Sequence, residues 1–374
     1  MFLALVYDRG MAAPRSRRVT IRDVAAEAGV SVSTVSNWLG GRTRHMTAAT
    51  EATVQSAADR LGYRPSMAAR SLRGARSQVL GIVVPSILSP AFPAIVRGAD
   101  DAAADAGFSL FLSNIDRHGA KTTVLTQAMA DRGVDGIAYA YAVPDVHDAA
   151  VRAAQEAGLR VALLTPRGAD LDGAAGITLD NEAAMRQAAA HLWGLGHRRI
   201  AVATNRNLTA NGPHRVAGLR QALADRGGGL PDELVHDDDA DLDDLTEGAE
   251  TEVGRRAGLR LLTTADPPTA ICAVTDSIAV GVVRAARELG LQVPQDVSVV
   301  GFDDVPLARL VEPALTSFSC DLYQMGRDLI GLLVRDGPAE QQVVTPTIVV
   351  RASTGPAPQP AGQSAAAKRT LSGR

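Results

Sequence analysis

The pattern of apolar and polar positions changes character along this chain. Between residues 18 and 63 apolar residues come in short groups at helical spacing, none long enough for a helix to stand alone. Ile21, Val24 and Ala25 form one stripe, Val35, Trp38 and Leu39 a second, and Val54, Ala57, Ala58 and Leu61 a third. A hydroxyl residue suited to an N-cap precedes each group: Thr20, Ser31 and Thr47. Asp23 stands three positions after Thr20, close to a capping box. Gly29 and Gly62 supply the turns that end the first and third helices. Three helices this short must share one small core. The first two are separated only by AGVS, and the second is polar on its outer face, a pattern that predicts a helix-turn-helix.

YRPSMAARSLRG, residues 63–74, follows as a linker. Pro65 stops any continuing helix and Ser66 can cap a new one. MAARSL gives less than two turns, expected to form only when docked. From Val79 the period changes again. Apolar runs such as VLGIVVP, FSLFLSN, DGIAYAY, RVALLTP, RRIAVAT, PTAICAV and VSVVGF alternate with amphipathic helical stretches. Strands alternating with helices imply parallel sheets covered on both faces, and there are too many units for one sheet. Two doubly wound subdomains are expected, dividing near Ile177–Asn181. The Pro-, Ala- and Ser-rich tail after Thr354 is expected to be disordered, and it lacks a leucine heptad for a coiled coil.

Charge sharpens this division. The chain of 374 residues carries a formal net charge of −3, but from Arg15 to Arg76 eleven arginines stand against four acids, leaving +7 there and −10 elsewhere. A basic N-terminal module on an acidic body is the distribution expected when one end meets a polyanion. Cys272 and Cys320 have neither metal spacing nor a disulfide framework, so a reducing, cytoplasmic compartment is expected. The opening MFLALVYDRG has no basic leader and no cleavage site. It is expected to be neither a secretory signal nor a membrane span, and Met11 is a candidate start.

VTIRDVAAEAGVSVSTVSNWLG and GYRPSMAARSLRG closely resemble the DNA-binding headpiece and hinge of the lactose-repressor (LacI/GalR) family of transcription regulators. LWGLGHRRIAVA, RVAGLRQAL, TDSIAVG, VSVVGFDD and EPALTS extend the resemblance in family order from about Val19 to Arg351. It implies an all-α helix-turn-helix headpiece plus hinge helix, joined to an α/β periplasmic-binding-protein-like sensor of two doubly wound parallel-sheet subdomains. The expected divisions are a disordered extension 1–17, headpiece 18–63, hinge and linker 64–77, sensor N-subdomain 78–177 plus 320–344, C-subdomain 178–319 plus 345–355, and a disordered tail 356–374. Chain crossings are expected near Ile177, Cys320 and Thr345.

The resemblance places Val32, Ser33 and Asn37 at base-reading positions, opposite Val35 and Leu39. Asn bonds adenine bidentately, Ser is permissive, and Val contacts a thymine methyl. Ser31 and Thr34 are expected at phosphates, which position without specifying. The family inserts the leucine equivalent to Leu72, here flanked by Arg70 and Arg73, into the minor groove at the operator centre; packing on the sensor body is the other reading. For the effector, Arg215 and Asp303 match the family's pocket arginine and aspartate, and Phe92 its ring-stacking aromatic. Asp276 either contacts ligand or caps the helix it begins. Thr165 stands where the lactose repressor has an aspartate, Thr275 where many relatives have Asn, and Cys320 replaces a longer polar residue, so the pocket is expected to differ from that repressor's.

The expected partners are a palindromic double-stranded DNA operator, a small-molecule effector and a second copy of the chain, with no membrane and no cofactor. A dimer rather than a tetramer follows from the missing heptad. A sugar or sugar derivative is the expected effector, with a purine or nucleoside as alternative. An enzyme is disfavoured, because there is no P-loop, no G-x-G-x-x-G after the first strand, no G-x-S-x-G and no Cys/His metal spacing. A solute-binding protein would need a signal peptide and no basic headpiece. His197, in GLGHRRI, is expected to be structural.

Overall fold

In α1 (Ile21–Ala28), the backbone N and the hydroxyl of Thr20 both donate to Asp23 Oδ2 at 2.7 Å, and Gly29 at φ 66° ends the helix. Ser31 Oγ accepts from Thr34 N at 3.1 Å to start α2 (Val32–Leu39), and Thr47 Oγ1 accepts from Thr50 N at 3.2 Å to start α3 (Ala48–Arg60). Each cap satisfies an amide that the helix itself leaves unbonded. Val24, Ala25, Val35, Val54, Ala57 and Ala58 form the shared core, with Trp38, Leu39, Leu61 and Tyr63 at its margin. The computed structural model describes residues 19–44, 46–63, 77–115, 119–140, 146–166, 173–205, 211–237 and 248–359. The expected extension 1–17 and hinge residues 64–76, with Arg70, Leu72 and Arg73, lie outside the described residues.

The chain divides into units 1–77 and 78–374. In the second unit, β1 (Val79–Val84), α4 (Phe92–Asp105), β2 (Ser109–Asn114), α5 (Gly119–Asp131), β3 (Gly136–Tyr139), α6 (Val146–Glu156), β4 (Arg160–Pro166) and β5 (Ala175–Leu179) alternate as the periodicity requires. A later strand, β11 (Gln341–Val344), completes a parallel six-stranded sheet in the order β11-β5-β4-β3-β1-β2. The next stretch runs α7 (Asn181–Gly194), β6 (Ile200–Thr204), α8 (Asn211–Ala224), β7 (Val235–Asp237), α9 (Ala249–Leu262), β8 (Ala270–Ala273), α10 (Asp276–Glu288), β9 (Ser298–Val300) and α11 (Pro306–Leu310). Its four strands form a second parallel sheet, β7-β6-β8-β9. After β10 (Ser317–Ser319) and α12 (Leu322–Val334), the chain adds β11 to the first sheet and returns as β12 (Thr347–Val349), antiparallel to β10.

Three passages therefore join the subdomains, at Asp180, at Cys320 and between Val344 and Thr347. The first falls slightly later than residue 177, because Ile177 and Thr178 still pair in β5 with Leu164 and Thr165. The tail also differs from expectation at its start. Ser353 Oγ donates to Val299 O at 2.6 Å, and Ala357 N donates to Leu195 O at 2.8 Å, so the ordered chain continues past residue 355. His197 holds this segment: it is fully buried, with Nδ1 2.9 Å from Thr269 Oγ1 and Nε2 3.0 Å from Gly355 O. Burial pushes its pKa below the usual histidine value.

In each subdomain one helix pair meets at backbone contact. A Cβ on Gly98 of α4 would strike Tyr323 O of α12, and one on Gly326 of α12 would strike Ile95 O of α4. The same reciprocity joins Gly254 of α9 to Ile278 O of α10, and Gly281 of α10 to Thr251 O of α9. Backbones this close leave no volume for a methyl group, so the helices cannot separate without emptying the core between them. No described helix is long and apolar enough to cross a membrane. Gly254→Ala is expected to destabilise the chain by about 3 kcal/mol through overpacking, read as a lowered denaturant midpoint at unchanged m-value.

Candidate functional site

On α2 the two faces separate cleanly. Val35 is fully buried, whereas Val32, Ser33 and Asn37 are exposed, Val32 by 43%. An exposed valine beside an exposed Asn leaves apolar and hydrogen-bonding surface together on a helix that a capped turn holds on the core. Ser31 Oγ is partly committed, since it caps α2 and lies 2.7 Å from Ser33 Oγ and 2.8 Å from Thr34 Oγ1. Thr34 is half-buried.

In the second unit, the loop before α4 faces the carboxyl ends of the second sheet. Ser89, Pro90 and Ala91 meet Glu250, Thr275, Asp276, Ser277, Asp303 and Val305 around a cleft too narrow to hold a water molecule. Arg215 is 3% exposed close to this cleft. Its Nε donates to Asn181 Oδ1 at 3.0 Å, one terminal nitrogen donates to Val274 O, and the other lies 3.9 Å from Asp303 Oδ1. The guanidinium carbon sits 3.3 Å from the centre of the Phe302 ring, which stacks on Phe318 at 5.1 Å. Burial pulls the Arg215 pKa down, and the Asp303 charge opposes that shift.

Asp303 adopts φ 100° and Asp304 φ 49°, both in the left-handed region that side chains avoid. Such conformations persist where neighbours over-determine them, and here three bonds do so. Asp303 N donates to Phe318 O at 3.0 Å, Asp304 N to Ser317 Oγ at 3.1 Å, and Val305 N to Asp276 Oδ2 at 2.9 Å. Asp304 is further held by Arg351 at 2.5 Å and Arg309 at 3.5 Å. Burial pushes the Asp303 carboxyl up to about 6 against the pull of Arg215.

Asp276 turns out not to be the helix cap. Thr275 is the cap, its hydroxyl accepting from Ile278 N at 3.2 Å. The Asp276 carboxylate instead accepts from Ser317 Oγ at 2.5 Å and from Val305 N, tying α10 to β10 and to the strained turn. Phe92 packs on the core of the first sheet and is absent from the residues lining the cleft, so the structure does not bring it to Arg215 and Asp303. Cys320 is buried in that same core. Thr165 Oγ1, at the end of β4, is buried without a hydrogen-bond partner among the described residues. Glu250, Asn181 and Asn211 escaped sequence reasoning. Glu250 reads as an acid in the first turn of a helix, favourable there for its dipole alone, and nothing in the pattern aims it at a cleft. Asn181 Nδ2 donates to Asn211 Oδ1 at 2.8 Å, a contact across 30 residues of chain. Among the described residues no group of His, Cys, Asp and Glu is disposed to hold a metal.

Burial and the neighbouring Asp303 push the Asp276 carboxyl up to about 8. A raised pKa means the folded state binds a proton that the unfolded state releases, so this group's contribution to stability falls as pH rises from about 4 to about 8. Asn can keep both contacts, accepting from Val305 N and donating to Ser317 Oγ. Asp276→Asn is therefore expected to melt progressively higher relative to wild type as pH rises through that window. A difference independent of pH would contradict the assignment.

Comparison with known proteins agrees with this anatomy. Residues 20–66 match the family of bacterial regulatory proteins, lacI family, and residues 189–354 match the periplasmic binding protein-like domain. The HTH-type transcriptional regulator reg1 of Streptomyces lividans is 33% identical, covering 92% of this chain and 99% of its own. The transcriptional regulator CelR in complex with cellobiose is 29% identical with a TM-score of 0.65, covering 90% of this chain and 100% of its own. The lac repressor dimer bound to operator and the anti-inducer ONPF is 25% identical with a TM-score of 0.74, covering 91% and 100%. With its capped helix-turn-helix unit and its two-sheet sensor, this chain belongs to the lacI family of bacterial regulatory proteins, DNA-binding transcriptional regulators.

Proposed function

We propose that this chain represses transcription from a two-fold symmetric operator, and that a small polyhydroxyl effector in the subdomain cleft sets its affinity for DNA. The observation that carries the reading is the division of α2, with Val35 fully buried and Val32, Ser33 and Asn37 exposed. In the proposed complex these three side chains read base edges, while Ser31, Thr34 and adjacent amides touch phosphate. Leu72, between Arg70 and Arg73, acts as the minor-groove wedge. Arg215 and Asp303 hold the effector's hydroxyls through charge-assisted hydrogen bonds, with Asp276 setting the turn that carries Asp303.

One helix reads too few bases for useful specificity, so two copies are required. The edge strand β2 supports a dimer, because Phe111 and Leu112 are 45% and 43% exposed on it, and Leu310 of α11 is 81% exposed. The sugar class is supported by the cellobiose complex of the CelR regulator and by the acceptor-rich cleft. On this reading the chain is not an enzyme and works in the cytoplasm, where its operator is.

Recovery and sequencing of genomic fragments bound by the full chain tests the reading. A shared two-fold symmetric site is expected, released by one of a panel of cellobiose, maltose and ribose. Binding without a shared site would refute it, and release by hypoxanthine alone would assign the purine class instead. Asn37→Ala is expected to relax base preference at one position by about 1–3 kcal/mol, leaving the salt dependence unchanged. Arg215→Ala is expected to keep operator binding in the absence of effector and to lose the response to whichever sugar releases the wild type.

A further inference from the structure

Of the three passages between the sensor subdomains, the third is held to the first along its length. Asp180 serves both. Its backbone N donates to Val344 O at 2.9 Å, at the end of β11, and its carboxylate accepts from Ala183 N at 2.9 Å to begin α7. Seven residues on, two turns along the same face of that helix, stands Gln187. Its Nε2 donates to Pro346 O at 2.8 Å, and its Oε1 accepts from Ile348 N at 3.1 Å. From Val344 to Ile348 an extended chain spans about 13 Å, and from Asp180 to Gln187 a helix spans about 10 Å. The two lengths are comparable, so the crossing strand runs against the first two turns of α7.

Both bonds to Gln187 fall on one edge of this segment, because residues two apart in a strand point their backbone groups to the same side. β10 pairs along the other edge of β12, Ser319 with Thr347 and Ser317 with Val349. An amide suits the position, since it offers a donor and an acceptor side by side, as a neighbouring strand would. Pro346 is buried, and its ring fixes its own φ. The one residue between the two anchors, Val344 on Asp180 and Pro346 on Gln187, is Thr345, which is exposed.

We propose that Gln187 is a positioning residue for subdomain movement: its amide pins the third crossing to α7, so that the first and third crossings bend together, at Asp180 and Thr345. A hinge confined to a few residues turns one rigid body about another, whereas a crossing left loose lets the bodies slide as well. The inference stands on the crossings themselves and needs neither DNA nor an effector. The competing role is local. Gln187 Nε2 also lies 3.4 Å from Ala183 O in its own helix, and the side chain would then serve only to close a strand edge.

Two measurements on the full chain without ligand separate these roles. They compare wild type with Gln187→Leu, which keeps the bulk, and Gln187→Asn, which keeps the amide but is one methylene too short. Amide hydrogen exchange is followed in a peptide covering 345–350 and in one covering β8. Pulsed EPR on frozen samples gives the distance distribution between nitroxides on Val124→Cys and Arg260→Cys, exposed positions on either subdomain, with labelled chains diluted among unlabelled ones. Cys272 and Cys320 are buried and stay unlabelled. Both variants are expected to exchange about tenfold faster at 345–350, with β8 unchanged, and to broaden the distance distribution. Faster exchange at 345–350 with the wild-type distribution would reduce Gln187 to closing a strand edge and overturn the proposal. Unchanged exchange at 345–350 would overturn it as well, since the amide would then hold nothing. Faster exchange in β8 too, with a lowered melting temperature, would mark general loosening and overturn the hinge assignment.

Discussion

A buried guanidinium organises the sensor. Arg215 cannot shed its charge at any ordinary pH, and leaving it unpaired at 3% exposure would cost several kcal/mol. Its stabilisation needs three separate pieces of chain: Asn181 at the first crossing, the Val274 carbonyl after β8, and the strained turn that supplies both Asp303 and the Phe302 ring. None of these is near Arg215 in sequence. The cation therefore dictates where the crossing, the strand end and the turn must meet, and the cleft is the space left beside it.

In the proposed complex the same cation would link ligand recognition to the connection between subdomains. A ligand drawing hydrogen bonds from Arg215 would compete with Asn181, which sits at the start of α7 directly after the passage out of β5. Asn181 is in turn bonded to Asn211, at the start of the helix that carries Arg215. Rearranging that one guanidinium would rearrange a crossing segment, and a ligand that prefers one arrangement would shift the balance between them. The reciprocal glycine contacts keep that shift from being absorbed inside a subdomain, since helices at backbone contact move as one body.

Most of the architecture was legible because its causes are local. Caps at Thr20, Ser31 and Thr47 depend on a few consecutive residues and appear where the pattern puts them. The long parallel strands are continuous apolar runs, readable without partners. The short strands β7, β10, β11 and β12 were not, because three or four residues in mixed surroundings carry no period, and only pairing makes them strands. The tail misled for a related reason. Its composition is that of a disordered segment, yet Ala357 N donates to Leu195 O, far away in the chain.

The site divides along the same line. Sequence by itself determined the short capped helices, the polar outward face of α2 and the segregation of charge, since each follows from neighbours within a turn or two. Only the tertiary structure decided that Thr275 rather than Asp276 caps α10, that Asp276 instead anchors the Asp303 turn, and that Glu250 lines the cleft while Phe92 lies half-buried against the first-sheet core. The physical reason is that hydrogen-bond partners of a buried carboxylate, and the space open to an aromatic ring, are properties of elements brought together by folding. A residue's type states what it can bond; the packing of distant segments states what is there to be bonded.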